Sequence, residues 1–144
     1  VYLIQFCNRR KLRAQFETLS KRTRLTFSPG ETVPMKQVSG ELDRFFETGD
    51  ARFRAPIQFP GTAHQQLVWE ALLAMKPGQL MSYSDLAVRV GKPGAARAVA
   101  GAVGANRLSI VIPCHRIIGA NGHLTGYAGG LPRKRALLEL EGLR

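Results

Sequence analysis

Acidic residues are scarce in this sequence, and cysteines scarcer. Of 144 residues only 10 are Asp or Glu, against 21 Lys or Arg, for a formal net charge of +11. That imbalance disfavours cationic partners and suits an anionic polymer or an anionic membrane face. The membrane reading is the weaker one. No apolar run approaches the roughly 20 residues of a bilayer-spanning helix, and no basic amphipathic anchor with exposed aromatics stands out. Cys7 and Cys114 are the only cysteines, too few for a disulfide framework. With no CxxC and no Cys/His cluster, neither a zinc site nor any other metal is expected, and no cofactor. A reducing cytoplasm is the expected location. There is no internal repeat, no low-complexity segment and no secretory signal. Val1 opens directly into the apolar run Val1–Phe6, which reads as a strand entered midway, with the native start missing.

What is present is 44% hydrophobic residues, enough for a packed core. The chain reads as an α/β (α+β) fold in two parts: a small sheet-and-helix domain over 1–60, and a mostly helical domain over 61–144 carrying a winged-helix-like helix-turn-helix. In the first part, residues 1–6 read as a strand. Residues 9–24 read as a basic helix with Leu12, Phe16 and Leu19 at helical spacing; its charges are read as a solvated face in preference to a DNA contact. A helix over 34–48 starts near Pro34 and stops before Gly49. Phe53, Ala55, Ile57 and Phe59 alternate with polar residues, a strand period, and Pro56 places that strand at an edge. Pro60-Gly61 is the expected boundary. In the second part, Thr62 and Gln65 form a capping box, and Ser82 with Asp85 a second capping pair. Gly91-Lys92-Pro93 separates a short helix from one over about 94–105, a helix-turn-helix pattern. Leu108–Ile112 reads as a short buried strand. Residues 119–130 form a glycine-rich loop, and a last helix runs from Pro132 to Glu141.

The helix over 94–105 breaks a local rule. Val99, Ala102 and Val103 share one face, while Arg97, Ala100, Gly101 and Gly104 share the opposite one. An exposed glycine inside a helix costs about 1 kcal/mol relative to alanine. Two of them around one arginine fit a surface that another backbone must approach closely, with Arg97 reaching into a groove or between bases. Packing against another helix of the same chain explains the pattern equally well.

Cys114 follows the apolar run Ile110–Ile112, next to His115 and Arg116. A thiol is a poor nucleophile until it loses its proton, which a histidine can take directly or through a water. A third group usually holds that histidine in the required tautomer. At about 100° per residue, Glu141 falls inside the apolar arc of Leu137, Leu138 and Leu140, while Glu139 points away. A carboxylate aimed at the core near a helix C-terminus needs a partner. The proposed relay is therefore Glu141 to His115 to Cys114. Taken singly, Cys114 reads as an inert buried thiol and His115 as a satisfied core histidine.

Ile112-Pro-Cys-His-Arg116 resembles the signature of the O6-alkylguanine-DNA alkyltransferases, also called methylated-DNA–protein-cysteine methyltransferases. Ser82-Tyr83, Ala96-Arg97-Ala-Val99, Asn106, Gly126-Tyr127-x-Gly-Gly130 and Leu137-Leu138-x-x-Glu141-Gly142 fall at that family's spacings across residues 62–142. The resemblance implies irreversible, single-turnover transfer of an alkyl group from O6-alkylguanine, and O4-alkylthymine, in double-stranded DNA to Cys114. It implies that His115 deprotonates Cys114 through a water, oriented by Glu141. Tyr83 would contact guanine N3 and help to push the base out. Arg97 would fill the gap in the stack, with Ala96 and Gly101 on the DNA-facing helix. Asn106 would tie that helix to the active-site segment, and Tyr127 would line the base pocket. Arg116 is expected in a structural ion pair. A monomer is expected. The parent protein is read either as a stand-alone alkyltransferase or as an Ada-type protein of which this is the C-terminal domain. Thr125 and Ala128 lie where the family varies. Two other classes compete: a lesion-binding protein without chemistry, against which Cys114 argues, and a Cys-His-Glu hydrolase, for which no oxyanion hole is legible.

Overall fold

A computed structural model describes residues 1–8 and 12–143. Among them run six helices and one small sheet: α1 (Leu12–Thr23), α2 (Val33–Thr48), α3 (Ala63–Leu73), β1 (Met81–Ser82), α4 (Tyr83–Arg89), α5 (Ala96–Gly104), β2 (Ile117–Ile118) and α6 (Leu131–Leu140), with a 3₁₀ turn at Cys114–Arg116. Arg9, Arg10 and Lys11, which the sequence places at the start of the first helix, lie outside the described residues.

The helix boundaries follow the local chemistry. Thr62 and Gln65 close the capping box of α3 from both sides, at 3.2 and 3.0 Å. Ser82 caps α4 by accepting from the Asp85 amide at 3.0 Å. Gly49 ends α2 in the left-handed region, φ 74°, returning its N–H to the Phe45 carbonyl at 2.8 Å. Its missing side chain also matters, because a Cβ there would collide with the carbonyl of Leu140 at the end of α6.

The expected N-terminal sheet does not form. Residues 1–6 make a single parallel bridge, Ile4 to Leu108, and residues 53–59 join no ladder and bend at Ala55. The reason lies in where the backbone donors go. The Arg54 and Ala55 amides bond the buried carboxylate of Glu41 in α2, at 3.0 and 3.1 Å, and Pro56 has no N–H to offer. Among the described residues, bonds join the segments from Gln58 N–H to the Val1 carbonyl, 2.9 Å, and from the Val1 amino group to the Pro56 carbonyl, 2.7 Å.

Leu108–Ile112 is buried as expected but is a tight turn, not a strand. Ile110 sits at φ 74°, and Ser109 bridges to Ile112 within the turn. A β-branched residue at that angle is held against a cost of about 1–3 kcal/mol. Its flanks are held firmly: Ile4 N–H bonds the Arg107 carbonyl and Ser109 N–H the Ile4 carbonyl, both at 2.9 Å. The Gln5 side chain adds bonds to the Asn106 carbonyl, 3.0 Å, and to Ser109 Oγ, 2.9 Å. The first six residues thus brace the approach to Cys114.

The main core packs α3, α4 and α5 around Trp69, Leu72, Leu86, Val99 and Ile112, and Trp69 donates to the Ala102 carbonyl at 2.8 Å. Val38 and Ala55 belong to the same cluster, so one core runs across Pro60-Gly61. The sheet is a parallel pair with Met81 opposite Ile117 and Ser82 opposite Ile118. It sets the start of α4 beside the end of the Cys114 turn.

Candidate active site

Pro113 ends the strained turn, and the chain enters the 3₁₀ turn Cys114–Arg116. Cys114 is 7% exposed and His115 fully buried. His115 Nε2 lies 2.9 Å from Glu141 Oε1, and neither side chain has solvent access. Arg116 grips the same carboxylate with two arms, Nε to Oε2 and Nη2 to Oε1, both 2.8 Å, and spends Nη1 on the Met75 carbonyl at 2.9 Å. The forked guanidinium matches the planar carboxylate.

This geometry sets the protonation states. Burial opposes ionisation of Glu141, but the bonds from His115 and Arg116 outweigh it and hold its carboxyl down at about 2. Burial pushes the His115 pKa below its usual value, against the pull of Glu141 and with Arg116 and Lys134 adding to the fall. A neutral imidazole facing an ionised carboxylate places its hydrogen on Nε2. Nδ1 is then the basic nitrogen, and it is buried without a hydrogen-bond partner among the described residues.

Asn106 lies just past α5. Its Nδ2 donates to the Ile112 carbonyl at 2.9 Å and to Cys114 Sγ at 3.1 Å, and its Oδ1 accepts from Leu108 N–H at 2.9 Å. The sulfur and the end of α5 thus share one amide. Tyr83, the first residue of α4, donates to the Gly126 carbonyl at 3.1 Å. Burial, reinforced by Cys114, pushes its phenol pKa up, so the hydroxyl stays a donor. Tyr127 stands edge-on to Phe6, ring centres 6.5 Å apart. Val103, Asn106, Ser109, Cys114, Tyr127 and Ala128 line a cavity of about 20 Å³, room for about one water. Thr125 opens this loop.

Arg97 and Gly101 lie elsewhere, on the outer face of α5. Arg97, Gly101 and Gly104 are exposed and Ala96 and Ala100 half-buried, while Val99, Ala102 and Val103 face the core. A Cβ added at Gly101 or Gly104 would meet nothing within 4 Å. Among the described residues, room for a side chain is therefore left at both glycines, and the alternative of packing within the chain is set aside.

Lys134 was missed by the sequence reading. Its side chain is fully buried, with Nζ donating to the Thr125 carbonyl at 2.6 Å and to the Ile117 carbonyl. The wheel that finds Glu141 puts Lys134 in the same arc between Leu137 and Leu138. Among the described residues no cluster of three or more His, Cys, Asp or Glu side chains could hold a metal. Nor is any helix long and apolar enough to cross a membrane.

The model of the 6-O-methylguanine DNA methyltransferase DNA-binding domain matches residues 63–143. This chain belongs to the methylated-DNA–protein-cysteine methyltransferase family. The Mycobacterium bovis member is 45% identical over 134 residues, covering 93% of this chain and 78% of its own. The inducible Bacillus subtilis methyltransferase is 48% identical over 101 residues, 70% of this chain and 56% of its own. Among solved structures, Mycobacterium tuberculosis OGT in complex with DNA superposes with a TM-score of 0.74 at 47% identity, over 83% of this chain and 73% of that one. The O6-methylguanine-DNA methyltransferase of Pyrococcus kodakaraensis gives 0.73 at 30%, over 92% and 78%. The mostly helical architecture with its small sheet is the architecture of this methyltransferase family.

Proposed function

We propose that this methyltransferase repairs alkylated DNA by direct reversal, moving the alkyl group from guanine O6, or thymine O4, to Cys114. The carrying observation is the buried chain of contacts from Arg116 and Glu141 to His115, beside a cysteine whose sulfur is bonded by Asn106. Likeness to a relative solved in complex with DNA supports DNA as the partner, here taken as a duplex. His115 Nδ1 takes the thiol proton through a bridging water. Cys114 Sγ then attacks the alkyl carbon, the carbon–O6 bond breaks, and its electron pair stays on the guanine. Tyr83 donates to guanine N3 as that charge develops. The thioether has no easy leaving path, so each molecule acts once.

In this reading the base is flipped out of the duplex, at a cost of a few kcal/mol that a weakened pair lowers. Arg97 enters the stack from a minor-groove-bound α5, with Ala96 and Gly101 against the backbone, and Tyr127 lines the base pocket. A cavity of about 20 Å³ is too small for a purine, so the loop carrying Gly126 moves away from Tyr83 when the base arrives. Residues 1–60 act as a supporting domain, and 61–144 as the winged-helix-like DNA-binding and catalytic domain. The protein works as a monomer in a reducing cytoplasm, where the thiol is kept reduced.

The test is a duplex carrying O6-methylguanine, followed by mass spectrometry of the Cys114 peptide. One added methyl per molecule is expected, and none for Cys114→Ala, which still binds DNA. No methyl on the intact protein sinks the reading; transfer surviving in the variant moves the acceptor elsewhere.

A further inference from the structure

The cavity beside Cys114 is backed by the far end of the chain. Gln5 and Phe6, neighbours on the first segment, each stand behind one of its walls. The Gln5 side chain accepts from Ser109 Oγ at 2.9 Å, and Ser109 lines the cavity on one side. Phe6 meets Tyr127, another lining residue, edge-on with ring centres 6.5 Å apart. Side chains that alternate along an extended segment let two adjacent residues serve two walls.

Phe6 is itself held in place. The Arg133 guanidinium, from the first turns of α6, lies over its ring at 4.7 Å from the centre. The same guanidinium donates Nη1 to the Gly129 carbonyl at 3.0 Å. A cation over an aromatic face is drawn to the ring's negative centre, so one half-buried arginine fixes both Phe6 and the loop. Gly129 shows how close the fit is. Its φ is not positive, so its missing side chain answers to space. A Cβ there would stand 2.7 Å from Tyr127 Cε1 and 2.9 Å from Phe6 Cε2. The turn from Tyr127 to Gly130, closed by the Gly130 amide on the Tyr127 carbonyl at 2.9 Å, thus seats directly on the Phe6 ring. Behind Phe6 lies the cluster of Phe45, Ile110 and Leu137, which blocks retreat of Tyr127 in that direction.

The proposed reaction needs this cavity, about 20 Å³, to open at its Gly126 end. Pinned at Gly129, the loop hinges there, and the Tyr127 ring stays as a fixed wall. We propose that Phe6, clamped by Arg133, sets how large an alkyl group Cys114 can receive, by holding the Tyr127 wall from behind. Phe6 is a positioning residue, acting through Tyr127. The proposal rests on the reading that Cys114 accepts the alkyl group from a base lying against Tyr127.

The test compares a small alkyl group with a bulky one. Transfer rates from duplexes carrying O6-methylguanine or O6-benzylguanine are followed by mass spectrometry of the Cys114 peptide. No methyl uptake by the wild type overturns the acceptor role, and this proposal with it; normal uptake leaves the variants to decide the clamp alone. Phe6→Ala is expected to raise the benzyl-to-methyl rate ratio about tenfold, the scale on which a pocket wall discriminates by size. Arg133→Met is expected to raise it by less. A merely structural loss would slow both substrates together and leave the ratio in place. Leu19→Ala, a core change in α1 outside both clusters that hold Phe6 and Tyr127, is the control and is expected to leave the ratio unmoved. An unmoved ratio in Phe6→Ala, or an equal rise in the control, overturns the proposal; an unmoved ratio in Arg133→Met overturns the part given to Arg133. Should Phe6→Ala not fold, Phe6→Leu, which keeps bulk and loses the ring, is read in its place. A smaller rise is expected there, and an unmoved ratio refutes the clamp.

Discussion

Glu141 carries three roles at once: acceptor for His115, anchor for Arg116 and terminus of α6. Replacing it with glutamine leaves a buried guanidinium without its counter-charge, a change worth about 3–5 kcal/mol when a buried pair loses one partner. Glu141→Gln is therefore expected to lower the midpoint of denaturant unfolding and to slow methyl transfer by about 10²-fold or more, since a mis-set tautomer disables the base. Equal transfer rates under conditions where both proteins are folded would count against the relay. The same carboxylate sets a response to acid. Its folded pKa of about 2 lies below the roughly 4.3 of an unfolded chain. Ionisation thus favours the folded state, fully above about pH 5 and progressively less as pH falls towards 2. Urea unfolding from pH 6 to 3 should show stability falling in wild type and a flatter profile in Glu141→Gln.

At the scale of the element, the role proposed for α5 sets stability against DNA recognition. Gly101 stands in open space on a helix whose other face is core. Gly101→Ala should raise thermal stability by about 0.5–1 kcal/mol, because nothing in the protein resists the added carbon. Gly101→Leu should fold equally well yet bind duplex DNA more weakly, as measured by fluorescence anisotropy. If the leucine variant binds DNA like wild type, α5 does not approach the duplex by this face. Arg97→Ala is expected to keep the fold and slow repair.

Elements with a strong local signal were legible in the sequence. The capping box at Thr62, the stop at Gly49 and the inward Glu141 all rest on chemistry within a few residues. What failed depended on distant partners. The strand over 53–59 has the right alternation, but two of its amides, those of Arg54 and Ala55, find Glu41 instead of a neighbouring strand. The turn at Ile110 breaks the φ preference of its own residue and is imposed by contacts from Ile4 and Asn106. The pairing of β1 with β2, which brings Tyr83 to the cysteine, spans two residues on each side and leaves no period to read. The contact of Glu141 with His115 was legible because burial of a carboxylate is improbable by chance; Lys134 carried the same signal.

On the scale of the whole molecule, a net charge of +11 makes DNA affinity a matter of salt. Binding of undamaged duplex should fall linearly in log–log form. A footprint of about six phosphates would lose on the order of 10³ in affinity between 50 and 200 mM salt. Methyl transfer at saturating protein should depend on salt far less, because the reacting groups are buried. A transfer step as salt-sensitive as binding would mean that the rate is limited by encounter.

The contact of Gly49 with Leu140 bears on how any map of inactivating substitutions is read. Position 49 sits at the end of a helix in the half of the chain that carries no reacting group, yet its absent side chain leaves room for the carbonyl one residue before Glu141. Changes there would displace the Glu141 carboxylate from behind and would score as losses of the proposed chemistry. Genetic dissection that counts inactive alleles would thus assign Gly49 to the active centre, and only unfolding measurements beside the activity assay would return it to the scaffold.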